Sequence, residues 1–202
     1  MRTKQDVLME FRRREILAAA RAVFSRHGYW RSTMEDVAAE AGLAKGTLYL
    51  YFHNKEEIYF AALEEELRKI QARVQAQVAR QTEPRARLQA WVETALACAE
   101  EHRDFFKIFF SEFNHLFFSP LSALEGRLRR LYMTGIKTVE QILEEGMRRG
   151  VFRRTEPRKT ALLVIDLVRG LVEARLLGWS RSRLERDTEF LLRFVIRGIV
   201  EA

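Results

Sequence analysis

Residues 33–55 read TMEDVAAEAGLAKGTLYLYFHNK. Met34, Val37, Ala38 and Ala41 recur at helical spacing. Gly42 follows, a residue that adopts positive φ at little cost and so suits the break after a helix. Beyond it Leu48 and Phe52 form an inward pair, which leaves Lys45, Thr47, Tyr49 and Tyr51 to point elsewhere. Asn54 with Glu57 three residues on has the pattern of a capping box, and Thr33 with Asp36 gives a similar signal. Two short helices joined by a tight turn are the layout of a helix-turn-helix, whose second helix lies in the DNA major groove.

Upstream, Ile16, Leu17, Ala20, Val23 and Phe24 make the inward face of a lead helix, and Val37, Ala41, Leu48 and Phe52 are expected to pack on it. The rest of the 202-residue chain reads as helix too. Helices are predicted over about 10–27, 34–41, 45–52, 55–81, 84–101, 103–114, 121–149, 158–178 and 183–200, with strand signals nearly absent. Pro84, Pro120 and Pro157 each sit where a helical pattern restarts, as proline does in a first turn. Leu63, Leu67, Ile70, Val74 and Val78 form one stripe along the long fourth helix, which is expected to join the head to the body.

Formal net charge is +7, and a basic balance favours anionic partners such as nucleic acid. Residues 1–55 hold ten Lys or Arg against six Asp or Glu, so they carry +4 of that total. A solvated surface of mixed charge gives similar totals, so charge alone leaves both readings open. Cys98 is the single cysteine, which excludes an internal disulfide and suits a reducing cytoplasm. No window of about 20 residues is free of charge, so no membrane partner is expected. No apolar run of signal-peptide length opens the chain.

The lead helix ILAAARAVFSRHGYWRSTM, the second block MEDVAAEAGLAKGTLYLYF and the closing FHNKEEIYFAAL together resemble the N-terminal domain of the TetR family of bacterial transcriptional regulators. The resemblance covers residues 10–60 and is specific in order and spacing. It implies an all-α, nine-helix protein with a helix-turn-helix DNA-binding domain over residues 1–54. Residues 55–202 would then be a helical bundle for ligand binding and dimerisation. It also implies that Lys45, Gly46 and Thr47 approach base edges and that Tyr49, Tyr51 and Lys55 grip the backbone. Thr33, at a helix N-terminus, suits a phosphate. Arg2, Lys4 and Arg12 to Arg14 read equally as a basic arm or as an untethered terminus. Two positions depart from the family pattern. Ala44 stands where a side-chain cap is usual, a loss of about 1 kcal/mol. Tyr51 stands where several members carry His, so operator preference does not carry over.

Residues 103–118, RDFFKIFFSEFNHLFF, hold seven of the fourteen phenylalanines. A helix apolar nearly all round is buried between neighbours, and core is the plain reading. Ligand pockets are also lined by apolar and aromatic side chains, and in proteins this one resembles the helix borders the effector cavity. Phe106, Phe109, Phe110 and Phe113, with Trp91, Tyr132, Arg169 and Leu171, are therefore candidate contacts for a small apolar effector. Fatty or aromatic acyl thioesters lead the candidates, and Arg130 or Arg169 could meet an acidic group. Residues 158–178 and 184–200 are too apolar for helices with one face in water, which points to a homodimer through a four-helix interface.

Enzyme chemistry finds no foothold. His27, His53, His102 and His115 are scattered, and Glu112 with His115 makes only one ExxH where a di-iron bundle needs two. No glycine-rich phosphate loop occurs, so no catalytic residue, metal or cofactor is expected. The sequence thus reads as a ligand-responsive repressor released from double-stranded operator DNA by its effector. A helical-bundle enzyme and a non-specific nucleic-acid binder stay open as alternatives.

Overall fold

The computed structural model describes residues 3–111 and 123–199. Among these residues there are nine helices and no strand: α1 (Lys4–Arg31), α2 (Met34–Glu40), α3 (Lys45–Tyr49), α4 (Lys55–Ala79), α5 (Pro84–Glu101), α6 (Arg103–Ser111), α7 (Ala123–Arg148), α8 (Pro157–Leu176) and α9 (Leu184–Ile199). Pro84 and Pro157 open α5 and α8, as their fixed φ favours, while Pro120 lies outside the described residues. No helix among the described residues is long and apolar enough to cross a membrane.

The chain divides into two compact units, Met1–Glu66 with Asp104–Arg129, and Leu67–Arg103 with Arg130–Ala202. In the first, α1 is longer than its apolar periodicity predicts. It begins at Lys4 because Thr3 and Asp6 form a reciprocal capping box. Lys4 and Arg12 to Arg14 therefore sit on a capped helix, and Arg2 lies outside the described residues. Arg12 pairs with Glu15 at 2.8 Å, Arg14 with Glu10 at 2.8 Å, and the Arg13 guanidinium lies 4.3 Å from the centre of the Phe52 ring. Ile16, Leu17, Ala20, Val23, Phe24, Val37, Leu48 and Phe52 are buried together as expected, whereas Ala41 is only half-buried. Tyr59 of α4 is buried with this core. Its ring meets Phe24 edge-on at 5.3 Å and Tyr29 at 4.7 Å, and its hydroxyl donates to the Ile108 carbonyl at 3.4 Å.

In the second unit α5 packs on α8 and α9. Leu88, Val92 and Leu96 meet a core that also buries Ala161, Val164, Val168, Leu191 and Val195. Cys98 is fully buried, a small apolar filler. Arg175 ties the end of α8 to its surroundings, donating to Glu100 at 3.0 Å, to the Ser182 carbonyl at 3.0 Å and to Asp187 at 2.5 Å. Burial pushes the Asp187 carboxyl up. Hydrogen bonds from Ser182, Ser180 and Arg175 outweigh that and hold it below its ordinary value.

Candidate nucleic-acid interface and effector residues

Thr33 caps α2 from an extended backbone. Its hydroxyl accepts from the Asp36 N–H at 3.1 Å and donates to the Asp36 carboxylate at 2.8 Å, and that carboxylate also takes the Thr33 N–H at 2.9 Å. The Thr33 hydroxyl and backbone bonds hold the Asp36 carboxyl below its ordinary value. A phosphate approaching this helix start therefore meets a carboxylate already in place. Gly42 has φ +64°, the left-handed conformation that the turn between α2 and α3 requires. The turn closes with Leu43 N–H donating to the Ala38 carbonyl at 2.8 Å.

Helix α3 is short. It runs five residues, where the sequence pattern predicts eight, and ends at Tyr49. Ala44 makes no side-chain cap, as its methyl dictates. Leu48 is the one buried residue of α3 and anchors it; Lys45, Gly46 and Tyr49 are exposed, and Thr47 and Tyr51 are half-buried. Lys45 Nζ pairs with the Glu35 carboxylate of α2 and lies 6.0 Å from the Tyr49 ring centre. Side-chain hydrogen bonding to Lys45 lowers the Glu35 carboxyl, and the same bond raises the Lys45 ammonium. A Cβ added at Gly46 would meet no atom within 4 Å, so this face of α3 is open to close approach.

Two exposed residues of the head carry no polar signal in the sequence. Leu50 is 77% exposed beside Tyr49, and Trp30, just after a kink in α1 at Gly28, is 73% exposed. Both are large apolar groups in solvent, a feature that only burial reveals.

Lys55 lies elsewhere than a simple backbone grip implies. Its ammonium donates to the carbonyls of Tyr29 and Ser32, each at 2.8 Å, and sits 4.4 Å from the Tyr29 ring centre. It thus adds a charged donor to two carbonyls at the end of α1, of which that of Tyr29 also accepts from the Ser32 N–H at 3.3 Å, and pins the entry to α2. Asn54 accepts from the Glu57 N–H at 2.8 Å, while the Glu57 carboxylate reaches back one residue further than a standard box, to the His53 N–H at 2.8 Å.

The predicted effector contacts fall in both units. In the first, Phe105, Phe106, Phe109 and Phe110 form a ladder along α6 with ring centres 5.0–5.7 Å apart. Phe105 and Phe109 are buried, whereas Phe106 and Phe110 are half-buried. Phe113 lies outside the described residues, as do Glu112 and His115. In the second unit Trp91 is buried and Leu171 half-buried. Burial raises the Tyr132 hydroxyl, the Asp166 charge raises it further, and Arg169 opposes both. Tyr132, Asp166 and Arg169 are therefore within electrostatic reach of one another. Arg169 is held by Asp166 at 3.0 Å and Glu173 at 3.1 Å, so an acidic ligand would compete with two carboxylates; Arg130 is exposed.

A buried three-helix head with a left-handed glycine turn and an open second helix defines a helix-turn-helix transcriptional regulator. Residues 16–62 match the model of bacterial regulatory proteins of the tetR family, and residues 81–173 match a tetracyclin repressor-like C-terminal domain. The chain belongs to the TetR family. It is 31% identical over 146 residues to the HTH-type transcriptional repressor KstR2 of Rhodococcus jostii, covering 70% of this chain and 68% of that protein. A transcriptional regulator from Saccharomonospora viridis, solved in complex with choline, shares the fold at a TM-score of 0.83 and 25% identity, over 94% of this chain and 98% of that one. FadR from Bacillus subtilis, solved in complex with stearoyl-CoA, does so at a TM-score of 0.79 and 20% identity, over 91% and 97%.

Proposed function

We propose that the protein is a homodimeric repressor whose residues 1–54 bind an operator and whose residues 55–202 dimerise and bind an acyl thioester. The observation that carries this reading is the open α2–α3 surface. Glu35, Lys45, Thr47, Tyr49 and Leu50 all keep exposed or half-exposed side chains around an unobstructed Gly46. Lys45, Gly46, Thr47, Tyr49 and Tyr51 are the assigned DNA contacts, whereas Thr33, whose hydroxyl and N–H are already bound to Asp36, is assigned as the cap that positions α2. Lys55 is assigned from behind, holding the carbonyls that set the approach of α2. The assignment of a repressor is supported by the KstR2 relative, which bears that name.

The effector class rests on the aromatic ladder of α6, two of whose rings are partly uncovered. Apolar rings favour an acyl chain, each buried CH₂ contributing about 0.8 kcal/mol. The stearoyl-CoA complex of the Bacillus subtilis regulator supports this class, and the choline complex of the other supplies the contrasting one. Phe106, Phe109, Phe110 and Phe113 are assigned as one contact group and Trp91, Tyr132, Arg169 and Leu171 as another. The ligand acts by population shift, binding better to the geometry that binds DNA less well.

The test is operator release, followed by fluorescence anisotropy, against acyl thioesters of increasing chain length, the matching free acids and choline. Release that strengthens with chain length, and that Phe110→Ala blunts without changing DNA affinity, supports the assignment. Release by choline alone, or by none of them, overturns it.

A further inference from the structure

The ion pair between Glu35 and Lys45 joins the two helices of the helix-turn-helix on its open side, and both side chains remain more than half exposed, at 55% and 56%. A pair this exposed adds little to stability. It also suits Lys45 poorly for the task a lone lysine performs, because a carboxylate at contact distance repels a phosphate. Yet the pair is not chemically spent. The ammonium has three donors and gives one to Glu35, and the carboxylate keeps an oxygen with its lone pairs. What remains is two donors beside one acceptor, with no net charge.

Resting on the operator-binding reading above, we propose that Glu35 and Lys45 act as one unit that reads a single G·C base pair in the major groove of each half-site. The major-groove edge of G·C offers two neighbouring acceptors, guanine N7 and O6, followed by one donor, the cytosine N4 amino group. Lys45 donates to the guanine and Glu35 accepts from the cytosine. An A·T pair alternates acceptor, donor and acceptor, so in the same register it sets a donor against the second lysine donor and an acceptor against the carboxylate. The unobstructed backbone at Gly46, next to Lys45, allows the close approach this contact needs. The Tyr49 ring centre lies 6.0 Å from the Lys45 ammonium, at the edge of cation–π range.

The test begins with wild-type protein selecting a consensus from randomised duplex DNA. Affinities are then measured for every single base-pair substitution of that consensus, for wild type, Glu35→Gln and Lys45→Met. At one position per half-site the wild type should prefer G·C by roughly tenfold to a hundredfold. Both variants should lose that preference there, keep the preferences at all other positions, and melt as wild type does. Glu35→Gln should move toward A·T at that position, since an amide can serve adenine N6 and N7. Variants that weaken all sequences by one common factor, or that keep the G·C preference, overturn the proposal while leaving operator binding intact. A wild type that enriches no consensus overturns both.

Discussion

Two surfaces of this chain face solvent with side chains that a monomer has no use for, and they differ in kind. On α2 and α3 the exposed groups are mainly polar: Glu35, Lys45 and Tyr49, with the half-buried Thr47 between them. On α8 and α9 they are apolar, with Leu163 at 65%, Phe190 at 63% and Phe194 at 60% exposed, joined by Leu162 and Leu167. Hydrogen-bonding groups held on an anchored helix suit a polar, grooved partner that presents base edges. Leucine and phenylalanine on neighbouring helices suit a partner that removes them from water, and a second copy of the same face does so symmetrically. The contrast shows that the partner of each surface is written in what that surface leaves unsatisfied.

The largest expected effect breaks the apolar side. Leu163→Glu combined with Phe194→Glu should turn a dimer into a folded monomer, because both positions are exposed and the core is untouched. Sedimentation equilibrium at micromolar concentration reads the mass, and operator affinity should fall on the order of a hundredfold or more as two half-sites no longer bind together. A double variant that keeps the dimer mass places the interface elsewhere.

Breaking the polar side should cost less. Tyr49→Ala should lower operator affinity roughly tenfold to a hundredfold, equivalent to about 1–3 kcal/mol, with the helical spectrum and the dimer unchanged. Equal affinity in a gel-shift titration removes α3 from the interface.

Lys55→Met gives the smallest effect and sharpens the comparison, because it separates support from contact. Two carbonyls lose a charged donor, so the head should lose about 1–2 kcal/mol of stability in thermal melts. Affinity for all sequences should fall together while the salt dependence stays as it was. A phosphate contact would instead reduce the salt slope by about one.

The sequence carries these features unevenly, and the reason is separation along the chain. The Thr33–Asp36 cap, the left-handed Gly42, the uncapped Ala44 and the Asn54 cap all involve neighbours within a few residues, so local chemistry announces them. The start of α1 was equally local, in the Thr3–Asp6 box, but the apolar periodicity that begins near Met9 draws attention past it. The three residues beyond Tyr49 carry helix-compatible side chains, and only the backbone shows that α3 stops there. Lys55 reaches carbonyls 26 and 23 residues away, which no spacing rule reveals. The Glu35–Lys45 pair crosses the turn between two helices and needs their packing to exist. The exposure of Leu50 and Trp30 is likewise a property of the fold, since apolar residues in a short head read first as core.

The central claim is that two copies of this head bind one operator together. The most direct measurement is the consensus that the wild-type protein enriches from random duplexes, with the stoichiometry of the complex on it. The account predicts an inverted repeat bound by two protomers, its half-sites centred one helical turn, about 10–10.5 base pairs, or a multiple of that apart. A consensus with no repeat bound by a single protomer, or no enriched sequence at all, would contradict it.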